Sequence, residues 1–181
     1  MANSFWTSAN VEPKRKYRFT VEITGTKQTG VLWFAKGINK PEISVESTEH
    51  KYLNHSFHFP GTISWNEVSV TLVDPVSPDA AQITAQMLTE SGYQGPSQLK
   101  GENPQTNSKK KSVDAVGDVV ITAIDSDGNP LETWTLKNAF IVKVAYGDLA
   151  YADEELSEVT IDFKYDWAEL KVRGRDAYWK N

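Results

Sequence analysis

His50, His55 and His58, the only histidines in the chain, are the residues whose type and spacing come nearest to metal chemistry. A turn centred on Asn54 sets His50 across from His58 in a hairpin, close enough to share an ion. Catalytic zinc needs three well-placed protein ligands, however, and His55 falls in the turn with no carboxylate assured beside the pair. Residues 47–59 therefore read as an exposed hairpin facing a partner. Asp125 and Asp127 invite a calcium reading of Asp125-Ser126-Asp127-Gly128-Asn129-Pro130. An EF-hand loop takes Gly at its sixth position and Glu at its twelfth, whereas here Gly128 is fourth and Leu136 is twelfth. The chain has no cysteine, and so neither a thiolate nucleophile nor a thiolate metal site. It also lacks a Gly-x-Ser-x-Gly elbow, a phosphate-cradling glycine loop and a His-Glu-x-x-His helix. The expectation is a protein that is not an enzyme and holds no metal or cofactor.

The elements around these residues are mostly strands. From Ser157 to Trp167, Val159, Ile161, Phe163, Tyr165 and Trp167 share one parity, and Glu158, Thr160, Asp162, Lys164 and Asp166 share the other. This is the period of a half-buried strand. Tyr17, Phe19, Val21 and Ile23 alternate in the same way, which predicts a strand with these four inward. Val31-Leu32-Trp33-Phe34-Ala35 is continuously apolar, as for a strand covered on both faces, and can pair with the Tyr17–Ile23 strand. Pro41 forces extended chain into Glu42–Glu46. Val68, Val70 and Leu72 mark a further strand that Asp74-Pro75 ends. The Asp-Gly turn at Asp127-Gly128 joins strands over 118–124 and 131–136. Another short strand follows over 140–144, and an acidic connection over 146–155 leads into Ser157.

One helix is predicted, over about residues 78–91. Ser77 is placed to cap it, Pro78 and Asp79 suit its first turn, Ala80, Ile83, Met87 and Leu88 form its apolar stripe, and Gly92 stops it. From 93 to 112 the chain is rich in Gly, Pro, Gln, Asn, Ser and Lys without period, and reads as a long loop. The fold class is mainly β, an antiparallel sandwich or barrel with one flanking helix. Its parts are an N-terminal arm over 1–13, one β domain over 14–170, and a C-terminal arm over 171–181.

Six Trp, seven Tyr and seven Phe are a heavy aromatic load, and aromatics favour strands and interfaces. Phe5 and Trp6 in the first arm and Tyr178 and Trp179 in the last read as anchors. The first arm docks either on a neighbour or on its own domain. A formal charge of −5 argues against a protein built to grip nucleic acid, and the runs Lys14-Arg15-Lys16 and Lys109-Lys110-Lys111 read as solvated surface. No apolar run approaches the ~20 residues of a membrane span, and the first residues lack a signal peptide's pattern, so synthesis and residence in the cytoplasm are expected.

Trp134-Thr135-Leu136-Lys137-Asn138-Ala139-Phe140, the Gly147 link and the final alternating strand ending Tyr165-Asp166-Trp167 resemble the tail tube proteins of contractile-tailed bacteriophages. That family is related in fold to the tube of the type six secretion system. The resemblance spans about Tyr17 to Leu170 in element order, but not the 93–112 loop or the basic tail. It implies homohexameric rings that stack into a hollow tube in the virion tail, inside a sheath protein, with tape measure, baseplate and neck proteins as further partners. DNA then transits the lumen without specific binding, and the tube is driven through the host envelope when the sheath contracts. Lumen-facing candidates are Arg18, Thr20, Glu22, Thr160, Asp162, Lys164 and Asp166, because a wall along which DNA slides should not collect lysines. Subunit-contact candidates are Phe5, Trp6, Ser47, His50, Tyr52, Leu53, Asn54, His55, Phe57, His58, Phe59, Tyr178 and Trp179. A tube-initiating or tube-capping protein of the baseplate or neck would share the same sequence features. A carbohydrate- or peptide-binding β-sandwich is a further alternative.

Overall fold

The computed structural model describes residues 12–25, 29–31, 34–96, 99, 106–152 and 154–180. Among the described residues, eleven strands and two helices follow one another as β1 (Phe19–Thr24), β2 (Thr29–Val31), β3 (Ala35–Ile38), β4 (Ile43–Tyr52), β5 (His55–Trp65), β6 (Val68–Val73), α1 (Ala80–Glu90), α2 (Lys109–Val116), β7 (Val119–Ile124), β8 (Pro130–Lys137), β9 (Phe140–Ala145), β10 (Glu158–Lys164) and β11 (Trp167–Val172). Two antiparallel sheets, in the orders β11-β8-β7-β1-β2 and β3-β6-β10-β9, face each other, and β4 and β5 form a separate hairpin. The mainly β antiparallel class predicted from the strand periods is the class observed.

Alternation dictates the core. Val21 and Ile23 of β1, Val119 and Ile121 of β7, Leu136 of β8 and Ala168 of β11 point inward from the first sheet. Val68, Val70 and Leu72 of β6 and Val159, Ile161 and Phe163 of β10 meet them from the second. Ala80 and Met87 of α1 and Val116 of α2 complete the same cluster. Such two-layer packing is what amphipathic strands require to bury one face each.

Several local expectations are revised. Tyr17 is exposed, because β1 begins only at Phe19. The apolar run 31–35 is not one strand: Val31 ends β2 in the first sheet and Ala35 begins β3 in the second, with Phe34 buried between, while Leu32 and Trp33 lie outside the described residues. β2 does pair with β1, Ile23 opposite Gly30. The cap of α1 is Asp79, whose carboxylate accepts from the Gln82 N–H at 2.8 Å, rather than Ser77, which precedes a cis proline peptide at Pro78. A second helix, α2, occupies the end of the expected loop, with Ser108 as N-cap. Three lysines in its first turn oppose the helix dipole, which hides it from a reading of local pattern. Tertiary contact compensates: Lys109 Nζ lies 2.7 Å from Asp166 Oδ2.

The stretch Ser157–Trp167 is likewise two strands. β10 ends at Lys164, the chain turns at Tyr165-Asp166, and Trp167 opens β11 in the opposite sheet. Asp166 holds this corner, accepting from Lys109 and from Asn138 Nδ2 at 2.6 Å. The Lys109 contact, followed by that of Asn138, keeps its carboxyl below the usual range.

Candidate functional site

The β4–β5 hairpin leaves the sandwich with almost every side chain exposed. Strands of ten and eleven residues at ~3.4 Å per residue make it over 30 Å long. Its turn is Leu53-Asn54, with Leu53 at φ 51°, so Tyr52 faces His55, His50 faces Phe57 and Glu49 faces His58. The expected pairing of His50 with His58 is therefore off by one residue, which puts the two imidazoles on opposite faces. Among the described residues no three His, Asp or Glu side chains group to hold a metal.

The register makes the hairpin two-faced. Opposed residues share a face, so His50, Tyr52, His55, Phe57 and Phe59 lie together, while Ser47, Glu49, Lys51, Ser56 and His58 lie on the reverse. Phe57 and Phe59 are each half exposed, and the tip residues Leu53 and Asn54 are open to solvent. Beyond a register shift between Val45 and Ser47, the pairs Ile43–Trp65 and Val45–Ile63 form a second apolar row at the base. Isolated surface hydrophobics need no explanation, but a row of aromatics on one face of a projecting hairpin does.

The C-terminal residues fold back on their own chain. Tyr178 exchanges backbone hydrogen bonds with Leu170, at 2.7 and 3.2 Å. The Trp179 ring stacks on Trp134 with centroids 6.2 Å apart and meets Trp65 edge-on at 5.8 Å. Half of the Trp179 surface remains open, beside an apolar groove lined by Ile43, Ile63 and Trp167. Phe5 and Trp6 lie outside the described residues.

The polar rows separate. Thr20 and Glu22 belong to the outer face of the five-stranded sheet, and Thr160 and Asp162 to the outer face of the other, so the two rows leave the core in different directions. Asp166 is in neither, since it holds the β10–β11 corner. Asp162 accepts from Ser69 Oγ at 2.5 Å and lies 4.0 Å from Lys143, and Lys164 lies 3.5 Å from Glu67. Arg18 pairs with Glu12 at 2.7 Å, a hydrogen bond that raises its already high pKa.

Glu132 was not singled out by motif, although it sits on the inward parity of Glu132, Trp134 and Leu136. It is a buried carboxylate that accepts from Lys14, from Lys40 at 2.7 Å and from Trp134 Nε1 at 2.5 Å. Burial alone would raise its pKa, but the hydrogen bonds from Lys14, Lys40 and Trp134 outweigh that and hold it at about 2, against an ordinary 4.5. Folding thus favours the ionised form. The stabilisation is complete above pH 4.5 and drains away as pH falls toward about 2. Both lysines are half exposed, which reduces the contribution to about 2 kcal/mol. Glu132→Gln is expected to lose that amount at pH 7 by urea unfolding. Its stability should then fall less than the parent's between pH 5 and 2; parallel curves would refute the assignment.

The chain matches no protein-family model and no curated protein. Solved structures do match along nearly its whole length. A chain from the tube terminating cap of the anti-feeding prophage is 17% identical, with a TM-score of 0.64 over 95% of this chain and 99% of that one. A chain from the sheath–tube complex of PVC, an extracellular contractile injection system, is 14% identical, with a TM-score of 0.61 over 94% and 99%. Hcp1 from Salmonella typhimurium is 9% identical, with a TM-score of 0.52 over 91% and 92%. The fold is thus shared with contractile injection system components and Hcp proteins, as the sequence resemblance implies.

Proposed function

We propose that the protein is a non-enzymatic structural subunit that assembles with copies of itself into the inner tube of a contractile phage tail. Homohexameric rings stack inside a sheath, with tape measure, baseplate and neck proteins as further partners, and DNA passes along the lumen. The observation that carries this reading is the long hairpin with an uncovered aromatic face, on a fold shared with injection-system components. An apolar row of that kind marks an interaction surface, and a second copy of the chain supplies a complementary one with no new sequence. The contact set is Ser47, His50, Tyr52, Leu53, Asn54, His55, Phe57, His58 and Phe59, joined by Tyr178, Trp179 and the Phe5-Trp6 arm.

The outer face of the five-stranded sheet lines the lumen. Its register brings Thr20, Thr122, Thr133 and Lys171 into one row and Glu22, Val120, Thr135 and Glu169 into another, a polar wall rich in threonine.

Deletion of residues 47–59 is expected to leave a soluble, folded monomer, by circular dichroism and sedimentation, that makes no tubes in electron micrographs. Normal tubes from the deletion would sink the proposal. The match to a tube terminating cap favours a second reading, in which the protein closes the tube as a single ring. Micrographs of the parent protein separate the two: open-ended tubes fit the first and isolated rings the second.

A further inference from the structure

Beside the Glu132 clamp, the two sheets open into a cleft of about 550 Å³ with an apolar floor that includes Phe19, Ile38, Ile121 and Trp134. Six cations rim it: Lys14, Arg15, Lys16, Arg18, Lys36 and Lys40. Glu132, Glu12 and Glu158 pair with four of them, which leaves the rim net positive in a chain that is net negative. On one side the cleft is walled by Lys36, Gly37 and Ile38 of β3, the edge strand of the four-stranded sheet.

The β9–β10 connection has the opposite character. Asp148, Glu154 and Glu155 make it acidic, and Leu149, Tyr151 and Leu156 are among the most exposed apolar residues of the protein. It leaves β9, at the other edge of the same sheet, and returns into β10, whose first residue Glu158 bonds Lys36 on the cleft rim. A head-to-tail ring needs two different, mutually complementary patches on separate sides of each subunit, whereas a two-fold dimer needs one self-complementary patch. The cleft and the connection are complementary in charge and in apolar content.

We propose that the acidic connection 146–156 of one copy docks in the basic-rimmed cleft of the next. Leu149 and Tyr151 lie on the apolar floor, and the carboxylates of Asp148 and Glu154 meet Arg15 and Lys16. The same chemistry already operates within a subunit, where Glu158, at the end of this connection, bonds Lys36, and that contact raises the lysine's pKa. This inference rests on self-assembly but not on the hairpin, so the two can fail separately.

The absence of native cysteines permits a direct test. Lys16→Cys and Leu149→Cys replace exposed residues. The two single variants, mixed and mildly oxidised, are expected to give a disulfide-linked heterodimer. A mixture of Lys16→Cys with Val76→Cys, an exposed position elsewhere, should give at most a trace. Arg15→Glu/Lys16→Glu and Asp148→Lys/Glu154→Lys should each raise the concentration needed for assembly about tenfold or more, and the two variants mixed should recover most of the loss. No heterodimer above the control, or no recovery on mixing, would overturn the proposal. Should these variants assemble like the parent while the hairpin deletion does not, the docking is wrong and the tube reading stands.

Discussion

Phe163→Ala is expected to destabilise the protein by about 3–5 kcal/mol, the usual range for emptying a fully buried aromatic site. Phe163 has no exposed surface, and its strand is paired on both sides, opposite Val68 of β6 and Ile141 of β9. Collapse into the vacancy is restricted because both neighbouring strands are fixed by their ladders, and the register shift between Asp162 and Phe163 already spends the local slack. The cavity term therefore adds nearly in full to the lost transfer energy. Thr160→Ala, three residues away on the outward face, serves as the control and should cost within about 0.5 kcal/mol. Urea unfolding followed by far-ultraviolet circular dichroism measures both. A cost below 1 kcal/mol for Phe163→Ala would mean that the inward row of β10 is not the core.

Strand alternation made most of this core legible. Val68, Val70 and Leu72, and Val159, Ile161 and Phe163, are inward as their spacing requires. Features that depend on where the chain goes next were not legible. Alternation runs unbroken through Tyr165 and Trp167 even though the chain changes sheets between them, because Tyr165 stays in the core at the corner and parity carries no record of which sheet a strand joins. The hairpin was visible as a polar-aromatic stretch, but its histidine pairing turned on a single residue of register, and only the turn geometry at Leu53 fixes that. Trp179 and Glu132 needed partners distant in sequence, at Trp134 and Trp65 and at Lys14 and Lys40. An acidic residue on an inward parity was the available signal for Glu132.

The placement of α2 leads to the second large effect. The turn that ends α2, Gly117-Asp118, lies against the end of β1 along a seam. Thr24 N–H donates to Asp118 O at 3.1 Å, and the Asp118 N–H donates to Thr24 Oγ1 at 2.9 Å. Two glycines permit this approach. Gly117 has φ 67° and ψ −147°, a region almost closed to other residues, and a methyl group there would stand 2.6 Å from the carbonyl of Thr24. A methyl at Gly25 would collide with the carbonyl oxygen of Ala115 from the other side. Backbone on both sides leaves no flexible side chain to give way, so each of Gly25→Ala and Gly117→Ala should cost about 3 kcal/mol, combining strain with overpacking. The double variant should cost clearly less than the sum, because whichever substitution first forces the seam apart makes room for the second. Gly95→Ala, with open space around the added methyl group, is the neutral control. Additive losses would show that the two glycines do not share one seam. If neither variant loses stability, the close approach of the α2 C-terminus to Thr24-Gly25 is wrong.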